Sequence, residues 1–259
     1  MTRFGLIGKP VSHSKSPDLF RAAYPDCGMT YELIEAPSFE ESIRLFKEGF
    51  DAVNVTAPYK ESAFLCADSA DIITSLLRAT NLLLKKDGRI CAFNTDFWAV
   101  SNILRLYLHE FEKPAVLVAG CGGAGKAAAL AASDLHLDVT VVNRSYDRAK
   151  SFCDAVGGIK AEPFDQMAAV ARKSDIIIYT LPVKADCFDS VLLEGKMVLE
   201  ANYRNPSFSP LKADVDFVYV PGYEWLVQQA LTGFGIMTGR KPEEKSLRAL
   251  LKHLHLYEY

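Results

Sequence analysis

The chain of 259 residues has no uninterrupted apolar run approaching the roughly 18 to 20 residues that a bilayer crossing requires. It also lacks an excess of charge of either sign, since 29 Lys and Arg against 32 Asp and Glu leave a formal charge of −3. That balance argues against an extended basic surface for nucleic acid or anionic membrane. There are six cysteines (Cys27, Cys66, Cys91, Cys121, Cys153 and Cys187), none of them in a CxxC pair. Scattered in this way, they read as free thiols in a reducing compartment rather than as a disulfide framework or a zinc site. The five histidines form no compact group, and His253 and His255 near the tail read as surface or packing residues; no metal is expected. The opening MTRFGLIGKPVSHSKSP holds one short apolar patch and then turns polar. It is not the pattern of a secretory signal, so a cytoplasmic location is expected.

What is present is the composition of an ordinary globular protein, 49% hydrophobic and 24% charged, at a length that permits two domains. The first half reads as short strands at Arg3–Gly8, Met29–Ile34 and Asp51–Thr56, with helices at Asp18–Ala23 and Phe39–Lys47. Ser38 and Glu41 have the spacing of a capping box for the second of these helices. Strand-like runs at Ala79–Leu84 and Ile90–Asn94 are joined through Asp87-Gly88, a hairpin signal. Phe97–Leu108 has helical spacing and connects this half to the next. After Pro114 the texture changes. Apolar strands at Ala115–Ala119, Leu137–Val142, Ile176–Tyr179, Met197–Glu200 and Phe217–Val220 alternate with helices, which predicts a parallel sheet covered on both faces. The fold class expected is α/β, in two domains.

Between the strand AVLVA and an alanine-rich helix stand Gly120, Cys121, Gly122, Gly123, Ala124 and Gly125. Glycines at such a turn let a pyrophosphate approach the helix N-terminus, where free N–H groups point at it. The strand before, the helix after and a further strand near Leu137 supply the context that this motif needs. Lys126 is not followed by Ser or Thr, which excludes a P-loop. At the end of the second strand an NAD site commonly offers Asp or Glu. Here the residues are Asn143, Arg144, Ser145 and Arg148, with Asp147 farther along. Arginine suits a 2′-phosphate that a carboxylate would repel, so NADP is the expected cofactor.

Three polar clusters punctuate the first half at strand ends: Ser14 with Ser16; Asn54, Thr56 and Lys60; and Asn81 with Asn94, Thr95 and Asp96. Strand ends at the mouth of an α/β sheet collect ligands, and these side chains suit a small molecule with hydroxyls and a carboxylate. Lys60 and Asp96 are the candidate pair for proton transfer. An ammonium group held beside a carbonyl stabilises the negative charge that grows on the oxygen as hydride arrives.

In GKPVSHSKSP (8–17), NVTAPYK (54–60), ATN (79–81), NTD (94–96), GCGGAG (120–125), NRSYDR (143–148) and WLVQQA (225–230), taken in order, the chain resembles the shikimate dehydrogenase family nearly end to end. The resemblance implies NADPH-dependent, reversible reduction of 3-dehydroshikimate to shikimate on the route to chorismate and the aromatic amino acids. It also implies a substrate domain of residues 1–96 and 224–259. A Rossmann-type NADP domain would span 97–223, with a linker helix at about 97–110 and the last helices folding back on the first domain. By the same resemblance Lys60 and Asp96 form the catalytic dyad, and Ser14 and Ser16 hold the substrate carboxylate. Thr56, Asn81 and Gln229 contact its hydroxyls and reacting centre, with Tyr203 nearby. Gly120, Gly122, Gly123 and Ala124 belong to the pyrophosphate turn. Asn143, Arg144, Ser145 and Arg148 match the 2′-phosphate site, and Gly222 the turn beside the nicotinamide. A monomer or a homodimer is expected, with no partner beyond small molecules.

The chain departs from the family pattern in places. YTLPV (179–183) stands where Asn-Ala-Thr-Ser is usual, and Glu200 stands for Asp. Residues 203–206 run one longer than Tyr-Asn-Pro, Glu224 and Trp225 stand for Gly-Met, and Leu82 for Thr. Three rival readings stay open at this point. They are a quinate/shikimate dehydrogenase using NAD, an aminoshikimate-pathway relative, and an NADP-binding regulatory or scaffold protein without catalysis. The arginines disfavour the first, and the presence of both Lys60 and Asp96 disfavours the last.

Overall fold

The computed structural model describes residues 2–25 and 28–253; Cys27 and His255 lie outside them. In chain order the elements begin with β1 (Arg3–Ile7), α1 (Ser16–Ala23), β2 (Thr30–Ile34), α2 (Phe39–Gly49), β3 (Ala52–Val55) and α3 (Lys60–Leu65). They continue with β4 (Ser69–Ala70), α4 (Ile72–Leu77), β5 (Leu82–Lys86), β6 (Arg89–Phe93) and α5 (Thr95–Tyr107). Next come β7 (Ala115–Ala119), α6 (Gly123–Asp134), β8 (Asp138–Asn143), α7 (Tyr146–Val156), β9 (Ile159–Pro163) and α8 (Met167–Lys173). The last are β10 (Ile176–Tyr179), α9 (Ser190–Leu193), β11 (Met197–Glu200), β12 (Val218–Val220), α10 (Gly222–Thr238) and α11 (Glu244–His253). The chain divides into two compact units. One runs to Thr95 and resumes at Gln229, and the other comprises Asp96–Gln228.

The first unit holds a mixed sheet in the order β2-β1-β3-β5-β6-β4. β1 runs parallel to β2 and β3, whereas β5 is antiparallel to both β3 and β6. The β5–β6 hairpin turns through Asp87 and Gly88, both at positive φ (52° and 72°), as the Asp-Gly pair predicts. Ile7, Val53, Val55, Leu83 and Ala92 form one face of the core, against Ile43 and Phe46 of α2. Ser38 caps α2 by accepting from the Glu41 N–H at 3.2 Å. The expected reciprocal half of the box is not made, because Arg44 takes both Glu41 carboxylate oxygens.

The last helices return to this unit. Glu243 N–H donates to the Ala23 carbonyl at 3.2 Å, and Tyr24 OH to the Arg240 carbonyl at 2.8 Å. Phe234 packs edge-on against Phe20, and α11 lies on α1.

The second unit is a wholly parallel sheet in the order β12-β11-β10-β7-β8-β9. Counted from its own first strand, this is the 3-2-1-4-5-6 order of the dinucleotide-binding fold, with the topological switch point where β7 meets β10. Every residue of β10 and β11 is buried, as strands covered on both faces must be. In α6, Ala127, Ala128, Ala129, Ala131 and Ala132 are buried, and their small side chains let the helix approach closely. The outer strand β9 was not expected from the sequence. IKAEP pairs on one side only, with β8, so it needs neither an apolar run nor a clean alternation.

Candidate active site

At the switch point the chain leaves β7 through Gly120, at φ +103°, a conformation that L side chains rarely adopt. A Cβ at Gly125 would run into the Gly120 carbonyl, so the turn closes only with glycine there. Gly122, by contrast, has nothing within 4 Å of the place its Cβ would take. It forms the N-cap of α6 with no side-chain cap, which leaves the N–H groups of Gly123 and Ala124 in the uncapped first turn. Open space in front of unclaimed donors at a helix N-terminus fits a pyrophosphate.

β8 ends at Asn143, whose Oδ1 accepts from the Cys121 N–H at 3.2 Å and whose Nδ2 donates to the Ser145 carbonyl at 3.0 Å. Asn143 thus braces the glycine turn against the start of α7. From that brace Arg144, Ser145 and Arg148 extend into solvent, without a carboxylate at the strand end. These residues fit the phosphorylated ribose of NADP.

The loop after β10 is fastened to the same turn. Thr180 Oγ1 donates to the Ala119 carbonyl at 2.8 Å. Tyr179 OH donates to the Val183 carbonyl and accepts from the Ala185 N–H, both at 2.8 Å, so one phenol closes the loop upon itself. Burial pushes that phenol up to about 12. Beyond β11 the Glu200 carboxylate accepts from the N–H groups of Ser207 and Phe208 and from Tyr219 OH. Its complete burial raises its pKa despite those donors. Gly222 lies so close to the Glu200 and Ala201 carbonyls that a Cβ would meet them at 2.8 and 2.7 Å. The Tyr203 ring packs against Tyr223 with centroids 5.0 Å apart and the planes tilted by 46°.

In the first unit, the Lys9 N–H donates to the Ala57 carbonyl at 3.3 Å and the Thr56 N–H to the Ile7 carbonyl at 2.9 Å. These bonds hold the serine loop beside the loop after β3, and Gly8 leaves room for the Thr56 methyl. Ser14 Oγ donates to Ser16 Oγ at 3.1 Å and accepts from the Ser16 N–H. Burial raises the pKa of the Tyr31 phenol well above the usual range, a rise that the nearby Ser16 side chain opposes. Tyr31 OH donates to Asn54 Oδ1 at 2.8 Å, and Asn54 Nδ2 to the Asn81 carbonyl at 3.2 Å. Sequence reasoning missed Tyr31, which sits within a strand and carries no motif.

Asn81 is the hub of this unit. Its Oδ1 accepts from the Thr95 N–H at 2.7 Å, and its Nδ2 donates to Thr95 Oγ1 at 2.9 Å and to Gln229 Oε1 at 3.2 Å. Lys60 opens α3, half-buried, and its carbonyl accepts from the Thr80 N–H at 2.9 Å beside Asn81. Asp96 follows Thr95 directly, in the first turn of α5, and is 3% exposed. The Trp225 indole N–H donates to its Oδ1 at 3.0 Å. Among the described residues no group of three or more His, Cys, Asp or Glu is arranged to hold a metal ion.

Residues 6–83 match the family described as shikimate dehydrogenase substrate binding domain, and residues 104–203 match shikimate / quinate 5-dehydrogenase. The chain belongs to the shikimate dehydrogenase family. It is 33% identical to the shikimate dehydrogenase (NADP(+)) of Exiguobacterium sp., over 96% of this chain and 97% of that protein. The corresponding protein of Leptospira interrogans is 32% identical over 94% and 91%. Among solved structures, shikimate 5-dehydrogenase of Thermus thermophilus in complex with NADP(H) and shikimate superimposes with a TM-score of 0.80 at 26% identity. That match covers 98% of this chain and 99% of the other. No described helix is long and apolar enough to cross a membrane.

Proposed function

We propose that this protein catalyses the reversible NADPH-dependent reduction of 3-dehydroshikimate to shikimate, in cytoplasmic biosynthesis of chorismate and the aromatic amino acids. The observation that carries the reading is the position of Asn81. One side chain gathers Thr95 and Gln229, so the ATN, NTD and WLVQQA segments meet at a single point next to Asp96. Residues 1–96 and 224–259 act as the substrate domain and 97–223 as the NADP domain.

When held at that site, NADPH would supply the hydride for the C3 carbonyl carbon. The Lys60 ammonium donates to the carbonyl oxygen, stabilises the charge that develops there and delivers the proton that completes the alcohol. Asp96 orients Lys60, offsets its charge and accepts from a substrate hydroxyl. Ser14 and Ser16 hold the carboxylate. Thr56, Asn81 and Gln229 read the remaining hydroxyls, and Tyr203 flanks the substrate. Gly120, Gly122, Gly123 and Ala124 receive the pyrophosphate. Arg144, Ser145 and Arg148, on the turn that Asn143 braces, would hold the 2′-phosphate, and Gly222 would belong to the turn on the nicotinamide side.

The test is the initial rate of shikimate oxidation with NADP, set against NAD and against quinate under matched conditions. A clear preference for shikimate with NADP is expected. Equal or better rates with quinate or NAD would move the protein to the broader quinate branch. Lys60→Ala is expected to lower kcat by about 10²- to 10⁴-fold, the range for loss of a positioned proton donor, with NADPH binding retained. Near-normal turnover in that variant would remove Lys60 from the mechanism.

A further inference from the structure

We infer that Trp225 is a positioning residue for Asp96, an inference that rests on the reading of Asp96 as half of the catalytic pair. The indole N–H lies 3.0 Å from Asp96 Oδ1, and the two residues are only 4% and 3% exposed. An indole nitrogen can only donate, and when buried it seeks an acceptor. An ionised carboxylate is the strongest acceptor a side chain offers. The bond matters most to the aspartate. Its terminal torsion is broad and roughly two-fold, so nothing intrinsic decides where each oxygen points. A donor fixed on Oδ1 sets that torsion and leaves Oδ2 with one direction. Both partners stand in first helical turns, Asp96 in α5 and Trp225 four residues into α10, where the backbone carbonyls enter the helical hydrogen-bond ladder. The large buried ring anchors the donor further.

The experiment uses Trp225→Phe and Trp225→Met, which keep apolar bulk and remove the N–H, together with Asp96→Ala and the double variant Asp96→Ala/Trp225→Phe. Shikimate kcat and KM at saturating NADP, shikimate Kd by calorimetry and NADP Kd are measured on each. Trp225→Phe and Trp225→Met are expected to lose about tenfold in kcat/KM for shikimate, the scale of one oriented charge-assisted bond. NADP Kd should stay within about twofold, and in the Asp96→Ala background Trp225→Phe should change shikimate Kd and turnover by less than about twofold. The protein has two tryptophans, and the indole N–H resonance that Trp225→Phe removes should shift in Asp96→Ala. Wild-type kcat/KM in both single Trp225 variants would overturn the inference. The same loss from Trp225→Phe with and without Asp96 would also overturn it, since the ring would then act by packing alone. Asp96→Ala with normal turnover is a different result: it removes Asp96 from the mechanism, and the role of Trp225 goes with it.

Discussion

Asn81 Nδ2 donates to Gln229 Oε1 at 3.2 Å, joining side chains 148 positions apart in the chain. The same amide accepts the buried Thr95 N–H through its oxygen. Asn81→Ala removes both bonds at once. Leaving a buried N–H without an acceptor costs about 1–3 kcal/mol, so stability in a denaturant titration should fall by that amount. Gln229 loses its orientation in the same step, and the KM for shikimate should rise roughly tenfold, the equivalent of one lost oriented hydrogen bond. NADP affinity should be unchanged.

Arg144 and Arg148 are exposed, so replacing both with Ala should leave the thermal midpoint nearly in place. NADP affinity should drop by roughly one to two orders of magnitude, as charge-assisted bonds to the 2′-phosphate are worth about 1.5–3 kcal/mol. NAD affinity should stay where it was. Titrations with the two cofactors side by side make the comparison, and a parallel loss of both would place the arginines elsewhere than at the phosphate.

The glycine turn separates two kinds of constraint. Gly125→Ala would drive a methyl into the Gly120 carbonyl, and lowered expression or a lower melting temperature is expected. Gly122→Ala meets no protein atom within 4 Å, so the melting temperature should hold while NADP affinity falls. Melting curves with and without NADP distinguish the two variants.

Glu200 has a folded-state pKa raised above its ordinary 4.5 by burial. Between these values the native protein binds more protons than the unfolded chain, so stability attributable to Glu200 falls as pH rises through the folded pKa. Glu200→Gln removes that dependence. The stability of wild type relative to Glu200→Gln should therefore increase on acidification from neutral pH towards 4.5, and a difference independent of pH would contradict the assignment.

The parallel sheet was legible because strands buried on both faces leave uninterrupted runs such as AVLVA and IIIY, and because the glycine turn sits between one of them and a helix. The Asp87-Gly88 hairpin was legible for a local reason as well, since positive φ at both positions suits few residue pairs. β9 escaped because an outer strand needs no such run, and the six-residue helices α3 and α4 escaped because six residues show too few turns for a period. In the candidate site, the Ser, Asn, Lys and Asp clusters announced themselves at strand ends. Tyr31 and the Trp225–Asp96 bond did not, since each depends on partners far along the chain. The reciprocal half of the capping box was misread because Arg44, one turn on, competes for Glu41.

The first unit is assembled from both ends of the described chain, whereas the second is one uninterrupted stretch. During synthesis, when domains generally fold as they emerge, this reverses the expected sequence of events. The early segment leaves the ribosome with Phe20 and Tyr24 lacking the Phe234 and Arg240 that later cover them. The later-starting unit can be complete while the earlier one still waits for its final helices. A chain truncated after Gln228 and released should therefore protect the parallel sheet from protease while α1 remains open to cleavage.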